Sequence, residues 1–276
     1  INESFILQTL IMHRGLPVRK KMTTKKNTLE LDPTMSHSMS EAKHYHDYQW
    51  KILKPQLGKR VLEIGVGYGQ YTRRMLDAGC YVLACDIEMK HLRDLQNTIS
   101  NAKLQTMSLD LQAAREEDCE RARNFEPDTI VLMNVLEHLA DPVASLKVLS
   151  SIAAPSCKLF ILVPAVQVIY NRLDSEAGHY LRYNRKLLIK HHIEAGWDVV
   201  DARYLNMPGI LGWVLAGYLS ESNKSESALN AKSTNWMIRV YDKLFIGLSR
   251  ITDCITARMA GLSLCCVSKK SSSNHS

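Results

Sequence analysis

No run of 18 or more apolar residues occurs in the 276-residue chain, which excludes a membrane-spanning helix. No C-x-x-C pair is present, and none of the seven cysteines has a histidine at metal-ligand spacing. That excludes a zinc framework, and the odd number, scattered through apolar segments, reads as reduced, buried thiols of a cytoplasmic protein. Charge is scarce outside the N-terminus. Residues 1–26 hold Arg14, Arg19, Lys20, Lys21, Lys25 and Lys26 against Glu3, which is +5 of the formal +7 and leaves +2 for the other 250 residues. A nearly neutral body has no basic groove, so nucleic acid is not expected as a partner. The basic stretch is expected to be a solvated, disordered arm over 1–35, with contact to anionic lipid or nucleic acid as the minority reading. The opening "SFILQTLIM" is not expected to be a secretory signal, because its charges follow the apolar run instead of preceding it. No internal repeat is visible.

What is present is ample apolar material, 46% of the residues, arranged in alternation. Short β-rich runs at 60–66, 81–87, 104–110, 128–135, 158–165 and 197–205 are separated by amphipathic stretches such as "QYTRRMLDAG" and "EMKHLRDLQNTIS". Near-continuous Val/Ile/Leu strands alternating with helices predict a parallel sheet covered on both faces. Asp141-Pro142 supplies a helix N-cap and a first-turn proline, and Gly196 closes the helix "NRKLLIKHHIEAG". A helix over 36–57 leads into the sheet. After the sixth strand come an apolar stretch (207–219), a polar linker (220–235), an amphipathic helix (236–258) and a last strand, "LSLCCVS" (262–268). In the amphipathic helix Met237, Tyr241, Leu244, Phe245, Leu248 and Ile255 form the expected apolar face, with Arg239, Asp242, Lys243, Arg250 and Asp253 largely elsewhere.

The first strand runs into "EIGVGYG", whose Gly65, Gly67 and Gly69 let the backbone take unusual φ/ψ values and approach a ligand closely. A triphosphate loop needs a Lys after its glycines, and none follows. A dinucleotide turn needs a small last residue, where Gln70 stands. The acid two residues before the first glycine fits a third class.

On these residues the stretch from about 58 to 200 resembles the class I S-adenosylmethionine-dependent methyltransferases. The resemblance implies a Rossmann-like α/β sheet of seven strands, the last antiparallel, with helices on both faces and an added C-terminal helical segment. It implies a methyltransferase domain at 36–270, with a donor-binding half at 58–165 and an acceptor-side insertion, helix and sixth strand at 166–206. A helical cap at 207–260 and a tail at 271–276 complete it. For the donor it implies that Glu63 meets the cationic amino group while Gly65, Gly67, Gly69 and the following helix start wrap the carboxylate end. Asp86, twenty-one residues after Gly65, would accept the ribose hydroxyls, with Ile87 beside it; Asp110 would accept from the adenine amino group, with Leu111 next to the ring. Asn134 ends the fourth strand in "LMNVLEHLADP", whose Glu137 and His138 read as structural more than catalytic, His138 being the weaker base candidate.

The proline-ended fifth strand, then a Tyr, an Asp and "GHYLRY", with the later pieces "YLNMPGILGW", "RVYDKL" and "GLSLCCVSKK", make the chain from about 40 to 270 similar to a bacterial set of small-molecule methyltransferases. More distantly it resembles quinone-pathway O-methyltransferases, which share a histidine in the insertion. That makes His179 the candidate general base. Tyr170, Asp174, Arg182 and Tyr183 are candidate acceptor-pocket residues. Arg182 would suit a substrate phosphate or carboxylate, or pair with an acid. Tyr45 and Tyr48 are expected either over the sulfonium or in the packing. No metal site is expected. The acceptor is read as a small hydroxylated molecule of glycan, lipid-linked or secondary metabolism. The alternatives are N- or C-methylation of a metabolite, a nucleic-acid methyltransferase, and a non-catalytic donor-binding subunit. The thirteen-residue segment 207–219 is read as an active-site cap, then as a peripheral membrane contact or homodimer face.

Overall fold

The computed structural model describes residues 42–222 and 232–271. The basic arm, residues 36–41 of the leading helix, 223–231 of the polar linker and 272–276 of the tail lie outside the described residues, as do the side chains of Met237, Arg239, Leu244, Phe245 and Arg250.

Helix α1 (Lys43–Leu53) leads into β1 (Arg60–Ile64), and strict alternation follows: α2 (Gln70–Asp77), β2 (Tyr81–Asp86), α3 (Met89–Thr98), β3 (Leu104–Ser108), α4 (Glu116–Asn124), β4 (Thr129–Met133), α5 (Pro142–Ile152) and β5 (Lys158–Pro164). The insertion holds the short α6 (Arg172–Glu176) and is followed by α7 (Arg185–Glu194) and β6 (Trp197–Leu205). Helices α8 (Gly209–Ser222) and α9 (Lys232–Thr256) precede β7 (Ser263–Lys270). The strands form one sheet in the order β3-β2-β1-β4-β5-β7-β6, with β1 to β5 parallel and β7 antiparallel to both neighbours. This is the expected seven-stranded arrangement. The strand order reverses between β1 and β4, and a sheet of this kind binds ligands beyond the carboxyl ends at that point.

Side-chain alternation sorts the strands into two cores. Leu62, Leu83, Ile130 and Ile161 bury one face against Ala122, Leu149 and Leu188 of α4, α5 and α7. Val61, Val82, Val131 and Phe160 bury the other against Leu53, Met75, Leu92 and Ile246 of α1, α2, α3 and α9. Burying each such large side chain is worth about 1.5–3 kcal/mol. Glu63 follows Val61 in period two and therefore points its carboxylate to the α2 side.

The helix starts show how the ends are satisfied. Asp141 accepts from the Ala144 amide at 2.9 Å, as expected, and Asn184 accepts from Leu187 at 2.9 Å. Helix α1 has no cap of its own: the Asp242 carboxylate of α9 accepts from the Tyr45 amide at 2.7 Å and the His44 amide at 3.2 Å. Helix α4, absent from the sequence reading, has too few apolar residues to show a period, yet Glu116, Glu117 and Asp118 open it and Arg121 and Arg123 close it, complementing its dipole. The face expected of α9 is corrected. Asp242 and Asp253 are buried, whereas Leu248 and Ile255 are exposed.

Candidate active site

The carboxyl ends of β1, β2, β3 and β4 carry the residues expected to hold the donor. Strand β1 stops at Ile64 because Gly65, Gly67 and Gly69 all take positive φ, +74°, +49° and +72°. Side chains would not fit there. A Cβ on Gly65 would lie 2.5 Å from Val135 Cγ2, and one on Gly69 would lie 2.2 Å from Leu95 Cδ1. The bare turn therefore brings main chain to the mouth of the site, and Gly69 passes it into the N-terminus of α2.

Asp86 ends β2 beside that turn. Its carboxylate accepts from the Gly67 amide at 3.1 Å and the Glu88 amide at 2.9 Å, and His91 Nδ1 lies 3.2 Å away. Two oxygens offer about four acceptor positions, so these contacts fix the carboxylate and leave capacity for a ligand. Ile87, next in sequence, is exposed. Asp110 is exposed beyond β3 and accepts from the Gln112 amide at 2.8 Å. Leu111 departs from expectation: its side chain is turned into the core, so it offers the site mainly backbone. Asn134, exposed beyond β4, stands in the left-handed region at φ +56° and donates its amide to Leu162 O at 2.8 Å.

Glu63 is buried and accepts from Thr72 Oγ1 of α2 at 2.5 Å, a partner that sequence reasoning missed. Burial pushes its carboxyl up to about 8; the Thr72 hydrogen bond opposes this and the Asp86 charge adds to it.

The insertion is tied to the turn after β4. The Tyr180 amide donates to Glu137 O at 2.8 Å, and the Tyr170 hydroxyl donates to His179 O at 2.7 Å. His179 thereby reaches the turn after β4, its ring 4.8 Å from that of His138 and steeply tilted to it, at 72°. Nδ1 of His179 lies 2.8 Å from Asp174 Oδ1, and Nε2 lies 4.0 Å from Glu137 Oε1. The Asp174 partner holds the tautomer that leaves Nε2 as the acceptor.

Asp174, Arg182 and Tyr183 stand behind the site instead of lining it, a correction to the sequence reading. All three are buried. Arg182 Nε lies 2.9 Å from both Asp174 oxygens, and its Nη1 donates to Ala165 O at 3.0 Å. Burial works against the Asp174 charge, but the bonds from His179 and Arg182 outweigh it and hold the carboxyl below its usual value. Trp213 of α8, also missed, covers the pair: its Nε1 lies 3.3 Å from Asp174 Oδ2, and the Arg182 guanidinium sits 4.5 Å over its ring. The signal available in sequence was Asn171-x-x-Asp174, a capping box that opens α6 and fixes Asp174 five residues before His179. Tyr48 is likewise a packing residue, buried and donating to Asp253, and Tyr45 Oη lies 3.2 Å from Ser263 Oγ.

Glu137 carries a surprise. Its carboxylate is fully buried with no side-chain hydrogen-bond partner among the described residues, and burial pushes it up to about 7, opposed by the nearby His179 and by its own backbone amide. Ligand atoms of Glu137, His138 and His179 lie within 4.8 Å of one another, close enough to hold a metal ion, where the sequence reading expected none.

Comparison with known proteins agrees with this layout. A family model described as "Methyltransferase domain" matches residues 37–205. The "Ubiquinone biosynthesis O-methyltransferase" of Xanthomonas euvesicatoria is 30% identical over 106 residues, 38% of this chain and 42% of that protein. That of Thiobacillus denitrificans is 28% identical over 127 residues, 46% of this chain and 50% of that protein. The chain thus spans about half the length of the curated relatives it matches. An S-adenosylmethionine-dependent methyltransferase from Mesorhizobium loti shares the fold with a TM-score of 0.52 at 12% identity, covering 81% of this chain and 98% of that one. Since the matched domain takes in well over half of the residues, including the glycine turn and the acids at the strand ends, the protein belongs to the S-adenosylmethionine-dependent methyltransferases.

Proposed function

We propose that the protein transfers the methyl group of S-adenosylmethionine to a hydroxyl of a small-molecule acceptor, with His179 as general base. The observation that carries this reading is His179 itself, fixed by Asp174 with Nε2 left to accept a proton beside the turn after β4. An alcohol needs such a base more than an amine does, and the curated relatives are named as O-methyltransferases.

The residues fit the donor. The glycine turn offers main chain where a Cβ would clash, Asp86 is held rigidly beside it, and Glu63 is a buried carboxylate close to a cationic amino group's expected place. When bound, S-adenosylmethionine supplies a sulfonium-borne methyl whose C–S electron pair leaves with sulfur. Asp86 would receive the ribose hydroxyls and Glu63 the ammonium; Asp110, Ile87 and the Leu111 backbone would flank the base. His179 would take the hydroxyl proton on Nε2 as the acceptor oxygen forms its bond to carbon. The main task of the rest of the chain is alignment and exclusion of water.

Asp86→Ala tests the donor site. Affinity for S-adenosylmethionine, followed by titration calorimetry, is expected to fall by about tenfold or more, since a charged hydrogen-bond acceptor is worth about 1.5–3 kcal/mol. Retention of affinity within about twofold overturns the assignment. Glu63 adds a pH dependence. Its folded carboxyl titrates near 8 and must ionise to receive a cation, so binding releases a proton. Affinity is expected to rise from about pH 6 to about pH 7.5, by up to about tenfold per unit, until the ligand's own amino group near 7.7–8.0 loses its charge. Glu63→Gln should flatten that rise.

A second reading rests on the Glu137–His138–His179 trio: a divalent cation there would bind the acceptor oxygen and occupy His179. Chelator treatment separates the two. Unchanged turnover supports the base, whereas loss restored by added magnesium or zinc supports the cation.

A further inference from the structure

Helix α9 turns its acids inward and its apolar residues outward. The face against the body carries Asp242, Ile246, Ser249 and Asp253, none more than 9% exposed. Both acids are satisfied there. Asp242 accepts from the amides that open α1, and Asp253 accepts from the Asn206 amide at 2.6 Å and from Tyr48. The opposite face exposes Leu248 at 47%, Ile251 at 69% and Ile255 at 79%, with Met259 just past the helix at 72%. Helix α8 packs against α9 and repeats the pattern. Trp213 and Ala216 pack onto Leu173, while Leu211, Val214, Leu215 and Tyr218, spaced as one helical stripe, are exposed. Residues 207–259 hold nine of the seventeen large apolar side chains exposed among the described residues, a concentration that a solvent-facing surface does not keep.

We propose that α8 and α9 form the surface on which this protein rests on an anionic membrane. Charge selects that occupant. Among the described side chains of these helices no acid is exposed, because Asp242 and Asp253 are used inside, and Lys243, with Arg258 just beyond α9, remains at the surface. Cations beside an apolar stripe suit anionic headgroups above and acyl chains below. A second copy of the chain would bring like charges together with no exposed acid among the described side chains of these helices to pair them. The sequence's other concentration of cations, Arg14 to Lys26, has the same sign. None of the described helices is long and apolar enough to cross a bilayer, which leaves lying on it. The inference is independent of the methyl acceptor.

The test is co-sedimentation of the full chain with phosphatidylcholine vesicles, with and without about 30% phosphatidylglycerol. Binding is expected to be about tenfold or more tighter to the anionic vesicles and to weaken as salt rises. The double variant L215E/I251E should lose about tenfold or more of that affinity while keeping its melting temperature and its uptake of S-adenosylmethionine. Three results overturn the proposal. These are no vesicle binding by the parent protein, full binding by the double variant (the arm alone then being the anchor), or a concentration-dependent dimer in sedimentation equilibrium that the double variant dissolves without any vesicle binding.

Discussion

Replacing His179 with glutamine is expected to lower kcat by about 10²–10⁴-fold, the usual contribution of a positioned general base, while S-adenosylmethionine affinity stays within about twofold. The split follows from geometry. The proposed donor residues lie on the turns after β1, β2 and β3, whereas His179 sits on the insertion and touches the turn after β4. Glutamine keeps much of the volume and one hydrogen bond to Asp174 but cannot take a proton. The measurement is release of the demethylated donor under saturating conditions, with the acceptor found by screening isotope-labelled donor against a small-molecule extract. A loss confined to kcat marks the proton acceptor. Equal activity at all pH values moves the role to His138 or removes the need for a base.

The proposed donor side of this site is legible in sequence because its signals are local. Three glycines after an apolar strand, then acids at the ends of the next two strands, are all set by the β–turn–α rhythm, and they stand at or just beyond the carboxyl ends of three neighbouring strands. The supports of His179 are less legible, since Asp174, Arg182 and Trp213 come from α6, the following loop and α8 and meet only in the folded chain. Asp174 and Arg182 looked like pocket groups because a charged pair in a long insertion has the composition of a substrate site; burial makes them scaffolding. The same blindness affected α9. Its acids read as solvent-facing because a helical wheel assumes that charge points outward, yet each has a distant partner with unsatisfied amides, at His44 and Tyr45 or at Asn206 and Met207. Partners separated by some 200 residues, as for Asp242 and Tyr45, leave no trace in local periodicity.

That scaffolding is expected to dominate stability. Asp174→Ala should destabilise the fold by about 3–5 kcal/mol, since it removes one member of a buried ion pair and leaves the Arg182 guanidinium without its carboxylate. Asp174 is inaccessible and Arg182 nearly so, and in the wild type the carboxylate also holds Asn171 at the start of α6 and His179 Nδ1. One substitution therefore leaves several donors unpaired at once. The sign with pH is fixed by the lowered carboxyl. Stability from this residue is full above the unfolded value near 3.9 and is lost as the pH falls through the lower folded value, so the variant should lack that part of the acid transition. Urea unfolding between neutral and acid pH measures both effects. Asp174→Asn, which keeps the shape and some hydrogen bonds, should recover part of the stability but little turnover, because an amide could not hold the imidazolium that His179 would form in its proposed role as base. If the asparagine variant instead regains full turnover, the carboxylate serves packing alone, and the orientation of His179 comes from the Tyr170 and Glu137 contacts to its backbone strand.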